Sequence, residues 1–211
     1  MDRDEALARI EEIQRVMERA TRYTLLPGGA AVVGGLLVIA GCAVSYGLIR
    51  SLDFAAMLTL PLDRQVGFCL LWLAIGVTGV ILEVTLTARA ARRAGLARGG
   101  RSTRIARVSL SPSVAVAAVL TARFLGAPEP RPEEVRYIVP IWMMLYGCGV
   151  YPVGLFSILA PRLLGLAFML SGMLALLWFP DYGVLAAALS FGLLHLAFGL
   201  YVIARRRREG P

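Results

Sequence analysis

PGGAAVVGGLLVIAGCAVSYGLI, residues 27–49, carries no charged side chain from end to end. The nearest charges are Arg22 before it and Arg50 after it. A helix rises about 1.5 Å per residue, so a run of this length crosses the hydrocarbon core of a bilayer, about 30 Å thick. In hydrocarbon an unpaired backbone N–H or C=O has no water to bond, and a helix satisfies those groups within the segment. Gly28, Gly29, Gly34, Gly35, Gly41 and Gly47 would weaken a helix in water, but in lipid such small residues let helices approach closely. The stretch predicts a transmembrane helix and sets the fold class, an all-α integral membrane protein.

The pattern recurs outward from it. Apolar runs cover 66–88, 109–125, 137–159, 163–179 and 184–204. The expected architecture is a six-transmembrane-helix bundle over residues 27–204, preceded by an N-terminal amphipathic helix over 1–26 and followed by a basic tail over 205–211. Composition agrees. The chain has 211 residues, 58% hydrophobic and 17% charged, where a soluble domain has about a quarter of its residues charged.

The runs differ in quality. Arg107 and Arg123 leave the third with 15 uncharged residues between them, fewer than the roughly 20 that a span needs. Arg123 can reach back to the interface along its apolar stem and so keep the span. Pro112 is expected in the first turn of this helix, where proline is tolerated. In the fourth run, Tyr146-Gly147-Cys148-Gly149-Val150-Tyr151-Pro152-Val153-Gly154 predicts a kink or a local break. Pro180-Asp181-Tyr182-Gly183 reads as a tight turn. Phe54 to Leu60 is a short apolar piece expected at the interface.

Ahead of the first span, Ala6, Ile10, Ile13, Met17 and Ala20 recur at helical spacing. Glu5/Arg9, Glu11/Arg15 and Glu18/Arg22 set an acid four residues before a base, the order that supports a helix. Met1-Asp2-Arg3-Asp4-Glu5 does not have the basic start of a cleavable signal.

Every cation is arginine, and the net charge is +8. In the six-span arrangement seventeen arginines fall on the side of the two termini and five on the other. Dropping 109–125 as a span would change the division to fifteen against seven. Positive charge is retained in the cytoplasm, so both termini are expected there, in a cytoplasmic (inner) membrane. The arginines of the 89–107 loop and of Arg205 to Arg208 are expected to touch anionic lipid headgroups rather than nucleic acid.

No phosphate-binding loop, nucleophile elbow or His-Glu-x-x-His pattern occurs in the sequence. Cys42, Cys69 and Cys148 all lie in apolar runs without metal-ligand spacing and read as packing residues. No catalytic residue, cofactor or metal site is expected. Four positions stand out. Glu83 is the sole charge in its run, about 9 Å from the interface at Arg89. It is either a proton- or ion-handling group or an acid that reaches headgroups or an arginine. His195 is the only histidine and lies about 15 Å from the arginine tail, near mid-membrane and about 6 Å deeper than Glu83. It would relay protons, or it would bond neutrally across helices. Contact between the two requires the second and sixth spans to be neighbours. Gly149 and Pro152 mark the break in the fourth span, which serves either a binding site or plain packing.

Three stretches carry a resemblance: Met17-Glu18-Arg19-Ala20-Thr21-Arg22-Tyr23-Thr24 leading into Pro27-Gly28, then Trp142-Met143-Met144-Leu145-Tyr146-Gly147, and Phe191-Gly192-Leu193-Leu194-His195-Leu196-Ala197-Phe198-Gly199. They resemble an uncharacterised family of small multi-spanning bacterial inner-membrane proteins whose genes often lie beside winged-helix regulators. The likeness covers both ends of the chain. It implies no activity and no functional residues, but it sets His195 and Tyr146-Gly147 within motifs. The expected function is non-enzymatic: a scaffold, an accessory subunit or a self-associating bundle, forming a homo-oligomer or part of a larger membrane complex. The alternatives are a small transporter or channel built on Glu83, His195 and the broken fourth span, and a membrane enzyme acting on lipid.

Overall fold

The computed structural model describes residues 28–93, 101–156 and 159–208, together with Glu5, Arg9 and Glu12. Among these residues the protein is helical, with no strand. Six segments are long and apolar enough to cross a membrane: α1 (Gly28–Ile49), α2 (Leu62–Arg89), α3 (Val108–Leu125), α4 (Pro132–Gly154), α5 (Leu159–Trp178) and α6 (Pro180–Arg205). The helix of α2 runs on to Arg93, and that of α3 begins at Arg101.

Glycine sets the two tightest crossings. In α1 and α6, which run antiparallel, a Cβ on Gly35 would come within 2.7 Å of the Gly192 carbonyl oxygen, and one on Gly199 within 2.5 Å of that of Gly28. In α4 and α5, also antiparallel, a Cβ on Gly147 would lie 2.6 Å from the Gly165 carbonyl oxygen. No side chain larger than hydrogen fits there unless the backbones separate. In lipid such close packing, rather than expulsion of water, holds helices together.

The remaining crossings use side chains. Trp72 of α2 donates to Ser45 Oγ of α1 at 3.1 Å, and Trp142 of α4 donates to Thr121 Oγ1 of α3 at 2.8 Å. α4 and α6 run parallel, with Val139 near Gly183 and Tyr146 near Phe191 and His195. The core follows from this arrangement, with Phe168 and Met143 buried at its centre. α2 is the least embedded segment: between Phe68 and Thr87 it has no buried residue.

One end of the bundle carries a cap. α1 stops at Ile49, and Arg50 takes a left-handed conformation, φ 52°, while its N–H bonds the Tyr46 carbonyl at 2.8 Å. This is the usual way to end a helix, although glycine normally occupies the position. Asp53 Oδ1 then accepts from Ala55 N at 2.9 Å and starts a 3-10 helix, Phe54–Thr59. Phe54, Ala55 and Met57 are buried against the bundle, with the Phe54 ring 5.1 Å from that of Phe68 and 5.9 Å from that of Trp72. The Leu52 carbonyl accepts from Val184 N at 2.9 Å, and Gln65 Nε2 donates to the Leu58 and Leu60 carbonyls at 3.1 and 2.8 Å. Arg136 and Asp181 form an ion pair at 2.7 Å across the same end.

Several expectations are sharpened or corrected here. The apolar piece at Phe54 to Leu60 is a docked element that closes the bundle. The break in the fourth span is present: the α-helix ends at Val150 and a 3-10 stretch, Tyr151–Phe156, follows. Proline at position 152 has no N–H to continue the α ladder. Accordingly α4 starts and ends earlier than 137–159, and α5 begins at Leu159 rather than 163. Pro112 is not in a first turn, because its helix begins eleven residues upstream at Arg101. It is an interior proline, and the Val108 carbonyl loses its usual partner. The amphipathic helix expected over 1–26 falls almost wholly outside the described residues. Glu5, Arg9 and Glu12 are helical, and Arg9 pairs with Glu5 at 3.1 Å as the four-residue spacing predicts. Arg205 to Arg208 continue the last helix, and residues 209–211 lie outside the described part.

Candidate functional site

The local sequence of α6 prepares its polar centre. After the 3-10 turn Pro180–Tyr182, the α-helix Gly183–Ala187 widens into a π-helical stretch, Ala188–Leu194, before α-geometry resumes at His195–Arg208. Widened turns of this kind occur mostly as single bulges and often at functional positions. Ser190 lies inside it, buried, and its hydroxyl donates to the Ala186 carbonyl at 2.6 Å. A serine bonded back in this way bends a helix.

His195 follows the bulge directly and points into the bundle. Its Nε2 lies 2.7 Å from the Tyr146 hydroxyl of α4. Two phenylalanine rings pack on the pair: those of Tyr146 and Phe168 are 4.8 Å apart, those of Phe168 and Phe191 4.9 Å, and the imidazole stacks on Phe191 at 6.2 Å and 15°. Nδ1 is buried and has no hydrogen-bond partner among the described residues. A buried phenol O–H donates most readily to a bare ring nitrogen, which makes Tyr146 the donor to Nε2 and puts the proton on Nδ1. This tautomer is assigned from the hydrogen-bond network. The neutral imidazole then joins α4 to α6 inside an aromatic box.

Glu83 stands apart from this pair. Its Oε1 accepts from Thr87 Oγ1, one turn further along α2, at 3.2 Å. The side chain is exposed on α2. Among the described residues no hydrogen bond or ion pair joins Glu83 to His195. α1 provides the partner surfaces for both helices, with Gly41 against Ile75 of α2 and Gly35 against Leu196 of α6.

Gly149 and Pro152 serve other contacts. A Cβ on Gly149 would meet the Leu110 Cα and the Ser113 Oγ of α3, each at 3.2 Å, so this glycine admits the third span to the fourth. Pro152 lies in the 3-10 stretch that ends α4. The structure therefore brings one of the four sequence candidates, His195, into a specific polar contact between helices. Its partner Tyr146 was visible only as part of a glycine-rich motif. A tyrosine in mid-span next to glycine was the available signal, because a buried phenol needs an acceptor. Ser45 and Ser190, both buried, had no distinguishing pattern in sequence.

Among the described residues no group of three or more His, Cys, Asp or Glu side chains converges to hold a metal. The class defined by this geometry is an α-helical bundle of six span-length apolar segments with a buried tyrosine–histidine pair. No family model, no curated protein and no solved structure matches the chain.

Proposed function

We propose that the protein is a multi-pass component of a bacterial cytoplasmic membrane, with both termini in the cytoplasm, that works without catalysis as a scaffold, accessory subunit or self-associating bundle. The observation that carries this reading is α2. It crosses the full length of the bundle, yet no residue between Phe68 and Thr87 is buried. A Cβ on Gly67, Gly76 or Gly79 would meet nothing within 4 Å, and Glu83 opens outward on the same helix. A span with so little cover inside its own chain has room for another helix, and small residues with one carboxyl suit association in lipid. The 89–107 stretch, expected as a loop, is helical up to Arg93 and from Arg101; its arginines and those of the tail would meet anionic headgroups. The test is the size of the full chain in several mild detergents, measured by light scattering. A stable assembly of two or more copies, or of this chain with co-purifying protein, is expected. A monomer in every detergent overturns the reading.

A second reading, a small transporter or channel built on Glu83, His195 and the broken fourth span, has one observation in its favour: Tyr146 and His195 place two polar groups in contact in the interior of the bundle. A single cysteine at position 195, in a background with Cys42, Cys69 and Cys148 replaced by serine, tests it. Labelling by an impermeant thiol reagent from either face supports the path, and protection from both faces removes it.

A further inference from the structure

The end of α3 carries a charged groove unconnected with the tyrosine–histidine pair. It holds about 680 Å³ and is lined by Arg123, Glu129, Arg131 and Glu134, with Ala122 and Gly126 at its base. α3 closes there through a bond from Gly126 N to the Ala122 carbonyl at 2.8 Å. Arg131 and Glu134 are loosely paired at 3.9 Å. Arg123 is exposed and has no ion pair among the described residues. Below it on the same helix, four and then three residues apart, come Val119 and Val116, both exposed, at 67% and 48%. That spacing stacks the two valines and the guanidinium on one face of α3.

An apolar stripe leading to an unpaired guanidinium, beside two carboxylates, has a definite chemical complement. From this juxtaposition we infer that the groove binds a phosphate–ammonium zwitterion, the headgroup of an aminophospholipid. Its acyl chains lie along Val116 and Val119, its phosphate meets Arg123, and its primary ammonium faces Glu129 and Glu134. An ammonium has three N–H donors for carboxylates, whereas a trimethylated amine has none, so phosphatidylethanolamine is preferred over phosphatidylcholine. A purely anionic headgroup satisfies Arg123 but meets the two carboxylates unfavourably. The groove carries two cations and two anions, so its charges balance as those of the zwitterion do.

The inference rests on reading the six segments as membrane spans. The test uses the full chain, extracted in detergent and exchanged into mixtures of phosphatidylethanolamine, phosphatidylcholine and phosphatidylglycerol, with retained lipid counted by native mass spectrometry. Phosphatidylethanolamine is expected to be retained several-fold over the other two. Arg123→Gln should abolish the preference. Glu129→Gln, at an exposed loop position that leaves folding alone, should lower it and raise retention of phosphatidylglycerol. Competition by free phosphoethanolamine would assign the same zwitterion site to a soluble ligand, and no competition assigns it to lipid. Equal retention of the three lipids, or a preference unchanged in both variants, overturns the inference. A chain that stays in solution without detergent overturns the membrane reading instead.

Discussion

The Tyr146 hydroxyl and the His195 imidazole meet at 2.7 Å between two parallel helices, α4 and α6, beside the rings of Phe168 and Phe191. Their side chains come from positions 49 residues apart in the chain. The bond is the one described polar contact that joins α4 to α6 side chain to side chain within the aromatic box.

Its removal should be measurable. Tyr146→Phe keeps the ring but strips His195 Nε2 of its partner. Hydrogen bonds between membrane helices contribute about 1 kcal/mol, and an abandoned buried group adds to the loss, so a destabilisation of about 1–3 kcal/mol is expected. Reversible unfolding in mixed detergent micelles reads this directly. A double-mutant cycle with His195→Phe should then show a coupling of about 1 kcal/mol between the two positions. No coupling would mean the contact carries no energy.

The glycines divide into two groups with opposite expectations. Gly35→Val or Gly147→Val puts carbon where a carbonyl oxygen lies within 2.7 or 2.6 Å. The helices must separate, at a cost of about 1–3 kcal/mol or more. Gly76→Ala and Gly79→Ala meet open space, and alanine is the better helix former, so the monomer should be unchanged or slightly more stable. If those two variants instead shrink the assembly seen in detergent, the α2 face is where copies or partners bind. Thermal melting in one detergent, run beside light scattering, separates the two effects.

The cap should matter through its ring rather than its charges. Phe54 is 7% exposed and packs on Phe68 and Trp72, so Phe54→Ala should cost about 3 kcal/mol. The Arg136–Asp181 pair joins partly exposed side chains, 28% and 58% accessible. Arg136→Ala should therefore cost about 1 kcal/mol or less, and less still in high salt. Equal losses from the two variants would contradict this ranking.

Topology offers an independent check on the arginine argument. In a cysteine-free background, a single cysteine at Glu129 should react with an impermeant maleimide in intact cells. One at Arg92 should react only after permeabilisation. The reverse pattern would place the cap in the cytoplasm and overturn the orientation.

Much of this architecture is legible in the sequence because a long uncharged run suits a helix that is apolar enough to cross hydrocarbon. Uncharged runs such as 27–49 have to pair their backbone groups internally, and helices do that locally. All six segments therefore appear close to their expected positions, and Pro152 ends its α-helix as proline chemistry requires. The boundaries of α4 and α5 and the interior setting of Pro112 escaped, because a helix can begin in charged sequence that carries no hydropathy signal.

The tertiary structure alone decided which glycines matter and what His195 touches. Gly34 and Gly35 are adjacent and alike in sequence. One faces open space and the other lies against the Gly192 carbonyl, because successive residues on a helix point about 100° apart and only one can face α6. The Phe54–Thr59 piece likewise reads as interfacial, and it became a cap only because Phe68, Trp72 and Val184 come to the same end. Local sequence is enough for the six apolar helices to form, since each satisfies its own backbone. Only the packed bundle determined their neighbours, since contacts between spans join residues that no local pattern links.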